Sequence, residues 1–267
     1  MPNRPIMANE LRLTFFGTAA GFPTPVRPRT TAIGLWRGTS LYLFDAGDGV
    51  AGQFAQAGIS LEALRAVFIT HLHADHVGGL PLLIQWLQLN RRTAPLPIHL
   101  PDASLEGVRD YLHLLYLWPM SQFPVDLLPV TRGVVHDDNG VRVTAIHSRH
   151  LEGGESSRAK AGERVESQAF SYLVGVEGKT IYFSGDLAEP EEAAEQADRV
   201  DLAVVELAHF TAEELGAAFS ASNLPRLALT HINDGFEPFE DEIPGRVRAA
   251  GFDGDIVVAT DGMEMEL

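Results

Sequence analysis

With 267 residues, 29.0 kDa and 45% apolar side chains, the chain is long enough to bury a sizeable core as one large domain or two small ones. Its 20 basic residues against 36 acidic ones leave a net charge of −16, a field that repels polyanions at long range and argues against a large nucleic-acid partner. Cysteine is absent, which excludes disulfides, thiolate zinc sites and a cysteine nucleophile, so any metal here must take His and carboxylate ligands.

The first residues, "MPNRPIMANELRLTFFG", hold no apolar core of signal-peptide length, and no stretch approaches 18 uninterrupted apolar residues. A cytoplasmic protein that does not engage a membrane is expected. Short runs that are β-branched or aromatic and bounded by Gly or Pro predict strands over 11–17, 31–38 and 40–47. A helix is expected over 50–58, ending at Gly58, and a buried strand over 64–70. Apolar residues at helical intervals over 77–92 predict a second helix, with Arg91 and Arg92 suited to its C-terminus. A helix at about 103–117 should follow, then strands near 126–130, 133–137 and 141–147, the last two joined by the turn signal "DDNG". The segment "DYLHLLYLWP" (110–119) is apolar on more than one face, which suits core packing, a dimer contact or a pocket wall.

Residues 152–167 are polar and rich in Gly and Ser, the composition of a mobile surface loop. "AFSYLVGV" and "KTIYFSGD" then read as paired strands linked by "EGK". Helices near 189–197, 211–219 and 242–250 alternate with strands over 202–206, 226–230 and 255–260. The acidic run 189–199 is read as a solvated helix face. A strand-rich half and a strand–helix half around one core predict an α+β fold, a four-layer sandwich of two mixed β-sheets flanked by helices. No linker of domain-boundary character interrupts it, so a single domain over 1–267 is expected.

Chemistry concentrates in "FITHLHADHVGG" (68–79), which puts His71, His73, Asp75 and His76 into six positions behind an apolar strand. Ligands in α/β proteins gather at strand ends, and His is the commonest nitrogen ligand of zinc-like ions. Gly78 and Gly79 allow the backbone to fold tightly as the next helix begins. Further donors stand at other strand ends: His147 and His150 in "VTAIHSRH", Asp186 in "IYFSGD" and His231 in "LALTHI". His99, His113 and His136 are read as structural.

These stretches, with "FFGTAAGFPTP" (15–25), "LFDAGDG" (43–49) and "VVATDGMEMEL" (257–267), resemble the metallo-β-lactamase-fold hydrolases, and within them the ribonuclease Z-like branch. The resemblance implies two divalent metal ions, zinc first, with manganese or iron as alternatives. It implies His71, His73, His150 and Asp186 at one ion, and Asp75, His76, Asp186 and His231 at the other. His147 remains the alternative to His150. Asp45 would steady the cluster loop, and Asp75, Glu206 and His209 would carry the catalysis, with His209 as general acid oriented by Glu206. The competing view is that Glu206 and His209 merely cap a helix.

The function expected is hydrolysis of a phosphodiester, small or nucleotide-like, because the long basic arm that grips tRNA in the branch has no counterpart beyond the 152–167 loop. The alternatives are an arylsulfatase or lactonase on the same metals, a tRNA 3′-processing endoribonuclease, and a non-catalytic metal-binding protein. A small-molecule ester is the expected partner, with a homodimer open.

Overall fold

Two of the hairpins expected from turn residues form as their chemistry dictates. In the computed structural model, which describes residues 10–119, 121–152, 168–233 and 240–267, Asn139 and Gly140 take φ of 50° and 69°, and Glu177 and Gly178 take 49° and 76°. Two successive positive φ values are what a two-residue hairpin turn needs to match strand twist. They join β7 (Gly133–Asp138) to β8 (Val141–Ser148), and β9 (Ala169–Val176) to β10 (Lys179–Phe183).

The chain packs as two units, residues up to Pro129 together with Thr260–Leu267, and Val130–Ala259. The first holds a seven-stranded mixed sheet. It is built from β1 (Leu11–Gly17), β2 (Ala32–Arg37), β3 (Ser40–Phe44), β4 (Leu64–Phe68), β5 (Leu96–Pro101), β6 (Val125–Val130) and β14 (Glu264–Glu266), in the order β14-β1-β2-β3-β4-β5-β6. Pairing is antiparallel from β1 to β3 and parallel from β3 to β5. Strands β1, β3 and β4 therefore run the same way, and the loops after all three leave from one edge.

Helices α1 (Val50–Gln56) and α3 (Leu80–Leu89) cover this sheet. In α3, Leu80, Leu83, Ile84 and Leu87 follow the i, i+3, i+4, i+7 spacing and are all buried, and Pro81 suits its first turn. They join Phe16, Val50, Phe54, Leu43 and Val67 in one core. Burying each such side chain contributes about 1.5–3 kcal/mol. The remaining helices of the unit are the short α2 (Ala74–Val77) and α4 (Leu105–Leu114).

The second unit repeats the plan. Its sheet runs β13-β12-β11-β10-β9-β8-β7, with β11 (Leu202–Leu207), β12 (Arg226–Ile232) and β13 (Asp255–Val258) added to the hairpins. Strands β7 to β10 pair antiparallel, and β10 to β13 parallel. Strands β8, β10, β11 and β12 thus share a direction and a common C-terminal edge. Helices α5 (Glu191–Ala194), α6 (Ala212–Ala218) and α7 (Ile243–Ala249) pack Ala193, Leu215, Ile243 and Val247 against Val205, Leu227 and Leu229. Two mixed sheets flanked by helices are the fold class read from the sequence.

Several expectations need correction. Strands β5 and β14 carried no signal. β5 is the proline-bearing "LPIHLP", and β14 is three residues long. The helix expected at 189–197 is one turn followed by a short 3-10 turn at Ala197–Arg199. Arg92 does not serve the end of α3. It is buried, and its guanidinium donates to the carbonyls of Leu61, Leu64, Ala94 and Pro95, tying the approach to β4 to the approach to β5. In the 110–119 segment Leu112 and Leu117 are buried, whereas Tyr111, Leu114, Leu115 and Tyr116 are exposed. His99 is buried and stacks on Phe68 at 4.7 Å, a structural role. Of the loop expected at 152–167, residues 153–167 lie outside the described residues.

Candidate metal centre

In the first unit the cluster begins just past β4. Asp45, the residue after β3, is buried and held at φ 60°, a left-handed conformation that Asp tolerates better than most residues. Its Oδ1 accepts the Thr70 N–H at 2.8 Å, and its Oδ2 accepts the His76 Nδ1–H at 2.7 Å. The Thr70 hydroxyl also donates to Asp45, at 2.9 Å to Oδ2. That hydroxyl has one proton and it is spent, so at 3.0 Å from His71 Nδ1 it must accept. Both rings are therefore protonated on Nδ1, and Nε2 carries the lone pair that a metal needs.

The backbone is stitched as tightly as the glycines suggest. Ala46 N donates to the carbonyl of His76, and Gly79 N to that of Ala46, at 2.7 and 2.8 Å. A Cβ on Gly79 would lie 2.0 Å from the Gly47 carbonyl oxygen, so only glycine fits there. Asp75 and His76 sit on α2, with His76 Nε2 3.7 Å from Asp75 Oδ2. Asp75 is fastened by the Gly21 N–H, which donates to its Oδ2 at 2.7 Å. Ligand-capable atoms of His71 and His73 lie within 4.8 Å of one another. His73 is exposed and the other three are buried.

In the second unit four strand ends supply the candidates. His150 follows β8, and its Nε2 lies 3.5 Å from Asp186 Oδ2. His231 Nε2 lies 3.3 Å from the other oxygen, Oδ1. One carboxylate thus turns a separate oxygen toward each imidazole. His231 is placed by a β-bulge: β11 and β12 pair Glu206 with Thr230 and then Leu207 with Ile232, leaving His231 between them at φ 50°. A bulge re-aims a side chain that the regular pleat would send elsewhere. Ser148 ties the end of β8 to this loop, its hydroxyl donating to the Asp186 carbonyl at 2.7 Å. His147 points away, 45% exposed and 3.9 Å from Glu152.

Glu206 and His209 form the third feature. Glu206 is fully buried, and its oxygens accept the backbone N–H groups of Leu187, Ala208 and His209 at 2.8, 3.0 and 3.2 Å. Both oxygens also lie 2.9 Å from His209 Nδ1. The helix-cap alternative fails, because α6 is capped by a Thr211–Glu214 capping box. His209 packs against the His150 ring with centroids 4.7 Å apart, and its side chain is 38% exposed.

The donor chemistry fits divalent metal. The His–Asp separations of 3.3 and 3.5 Å are longer than an N–H···O bond, as expected of donors arranged around an ion. Ligands about 2.0–2.1 Å from a tetrahedral zinc lie about 3.3–3.4 Å apart. Thr70, Ser148 and the Gly21 amide support this chemistry without a sequence signal of their own. Thr70 could have been suspected, since it stands directly before the first His.

The family described as Beta-lactamase superfamily domain matches residues 41–232. The chain is 30% identical, over an alignment 303 positions long with gaps, to a protein named Ribonuclease Z from Haloarcula marismortui, covering 95% of this chain and 96% of that one. Among solved structures, the metallo-β-lactamase fold protein YhfI from Bacillus subtilis superimposes with a TM-score of 0.75 at 17% identity, over 97% of this chain and all of that one. The short form of human tRNase Z does so with a TM-score of 0.70 at 21% identity, over 95% and 98%. The fold and site thus define a metallo-β-lactamase-fold hydrolase, and the chain belongs to the ribonuclease Z-like branch of that family.

One expectation is overturned. Net charge argued against a large nucleic-acid partner, yet relatives aligned over nearly the whole chain are named for ribonuclease activity. A whole-chain sum does not say where the charges sit, and a surface glutamate more than about 10 Å away is screened at ordinary salt. Among the described residues, no helix is long and apolar enough to cross a membrane.

Proposed function

We propose that this chain is a dinuclear metal-dependent phosphodiesterase that cleaves RNA, in the manner its ribonuclease Z relatives are named for, and that both units serve this one function as a single domain. His71, His73, Asp75 and His76 from the first unit, with His150, Asp186 and His231 from the second, would hold two divalent ions, zinc foremost. Bound ions of this kind lower the pKa of a water and neutralise charge on a phosphate.

This chain's own residues do the rest. Asp45 and Thr70 present His71 and His76 through Nε2. Asp186 offers one oxygen toward His150 and one toward His231, which suits a bridging ligand. Asp75, fastened by the Gly21 amide, would orient the attacking water. His209, its Nδ1 held 2.9 Å from both oxygens of buried Glu206, would give its Nε2 proton to the departing alkoxide. That His209–Glu206 pair, in ring contact with His150, is the observation that carries the hydrolytic reading. The substrate class is supported by the names of the full-length relatives. RNA as substrate also suits the cytoplasmic location expected from the sequence.

The test is a panel given to the metal-loaded protein: precursor tRNA, a plain phosphodiester, an aryl sulfate and a lactone. Cleavage of precursor tRNA on its 3′ side is expected. Turnover confined to the sulfate or the lactone would overturn the reading.

A further inference from the structure

All but one of the described phenylalanines are buried. Phe22 is the exception, 71% exposed. Isolated exposed apolar residues are ordinary, so exposure alone means little. Its position means more. The residue before it, Gly21, donates its N–H to Asp75 Oδ2 at 2.7 Å, which leaves the Phe22 Cα one residue, about 3.8 Å, along the chain from that fastening.

The loop that carries Phe22 is rigid by construction. Phe22 N donates to the Ala20 carbonyl and Thr24 N to the Arg27 carbonyl, both at 2.8 Å. Arg27 is buried, and its Nη1 donates to the Thr18 hydroxyl at 2.8 Å, which in turn donates to Asp261 Oδ1 at 2.7 Å. Pro23, Pro25 and Pro28 restrict the backbone further. The backbone that presents this exposed aromatic ring to solvent is thus braced, beside a residue assigned to the chemistry.

We infer that Phe22 is a substrate-contacting residue, the platform on which a nucleobase flanking the scissile phosphate stacks. This rests on the RNA reading above and deepens it. A flat apolar ring suits any base, because every base has a π-face, and such stacking does not read sequence.

The experiment uses the metal-loaded full chain and a short RNA strand, intact or with an abasic sugar on one side or the other of the cleaved bond. Wild type is expected to lose about tenfold in kcat/KM on one of the abasic strands. Phe22→Ala, at unchanged metal content and Tm, should lose about tenfold on the intact strand, mostly through KM, and nothing more on that abasic strand. Phe22→Trp should retain the wild-type pattern. An abasic penalty in Phe22→Ala equal to that of wild type, or no penalty in wild type, overturns the inference. If wild type cleaves no RNA at all, the reading of the reaction fails separately. The contact is then decided by Phe22→Trp emission: quenching by the intact strand beyond that by the abasic ones supports it, and equal emission overturns it.

Discussion

The two units reach similar chemistry by opposite routes. In the first, four candidate ligands stand within six consecutive residues, 71–76, and a single carboxylate, Asp45, at the end of the neighbouring strand orients His76 directly and His71 through Thr70. In the second, His150, Asp186, Glu206 with His209, and His231 leave four different strands, and Asp186 is the residue on which two imidazoles converge. A local cluster is secured by one loop packing on another. A dispersed set depends on the register of a whole sheet, down to the bulge that turns His231. The first arrangement should therefore fail gradually when altered, and the second abruptly.

The largest effect should come from the dispersed set. Asp186→Ala removes the carboxylate that faces two imidazoles, and bound metal measured by elemental analysis should fall from about two ions per chain to below one. His73→Ala in the contiguous cluster should leave about one. Equal losses from the two variants would break the contrast.

Next in size is His209→Ala, expected to lower kcat on substrates with poor leaving groups by about 10²–10⁴ while metal content holds. Steady-state rates over a leaving-group series check it, and a uniform loss across the series would remove the proton-donor role. Asp45→Ala tests the contiguous cluster through its support. Metal affinity should drop about 10–100-fold in a chelator competition, with stoichiometry restored at high metal.

Two smaller effects separate site from scaffold. Thr211→Ala breaks the capping box of α6 two residues from His209, and should cost about 1 kcal/mol in urea unfolding while the leaving-group dependence is unchanged. His136 lies half-buried on β7, and burial holds its imidazole below the ordinary value of 6.5, against the opposing pull of Asp138 and Asp137. Below pH 6.5 the unfolded chain takes up this proton more readily than the folded one, so stability falls as the pH drops from 6.5 through the folded-state pKa. Metal-free His136→Leu should lose less stability between pH 7 and pH 5 than metal-free wild type.

Much of this molecule is written locally. The strands, the two hairpin turns and the spacing of α3 follow from side-chain periodicity and from residues that accept positive φ, because those preferences act over a few residues. The contiguous cluster is legible for the same reason. So are Asp186 and His231, whose strand ends can be recognised one by one.

Other features were settled by tertiary structure. Strand β14 exists because β1 offers it an edge, and Arg92 is buried because carbonyls from two separate approaches converge on it. His150 turns toward Asp186 while His147 faces Glu152, a choice made by the end of β8 and the Ser148 tether rather than by spacing along the chain. The Thr70 proton that sets the His71 tautomer is likewise a matter of three side chains meeting in space. Sequence periodicity records which face a residue takes within its own element. It carries no record of which atom of a distant residue that side chain will meet, and the site's hydrogen bonds and donor orientations are made of such meetings.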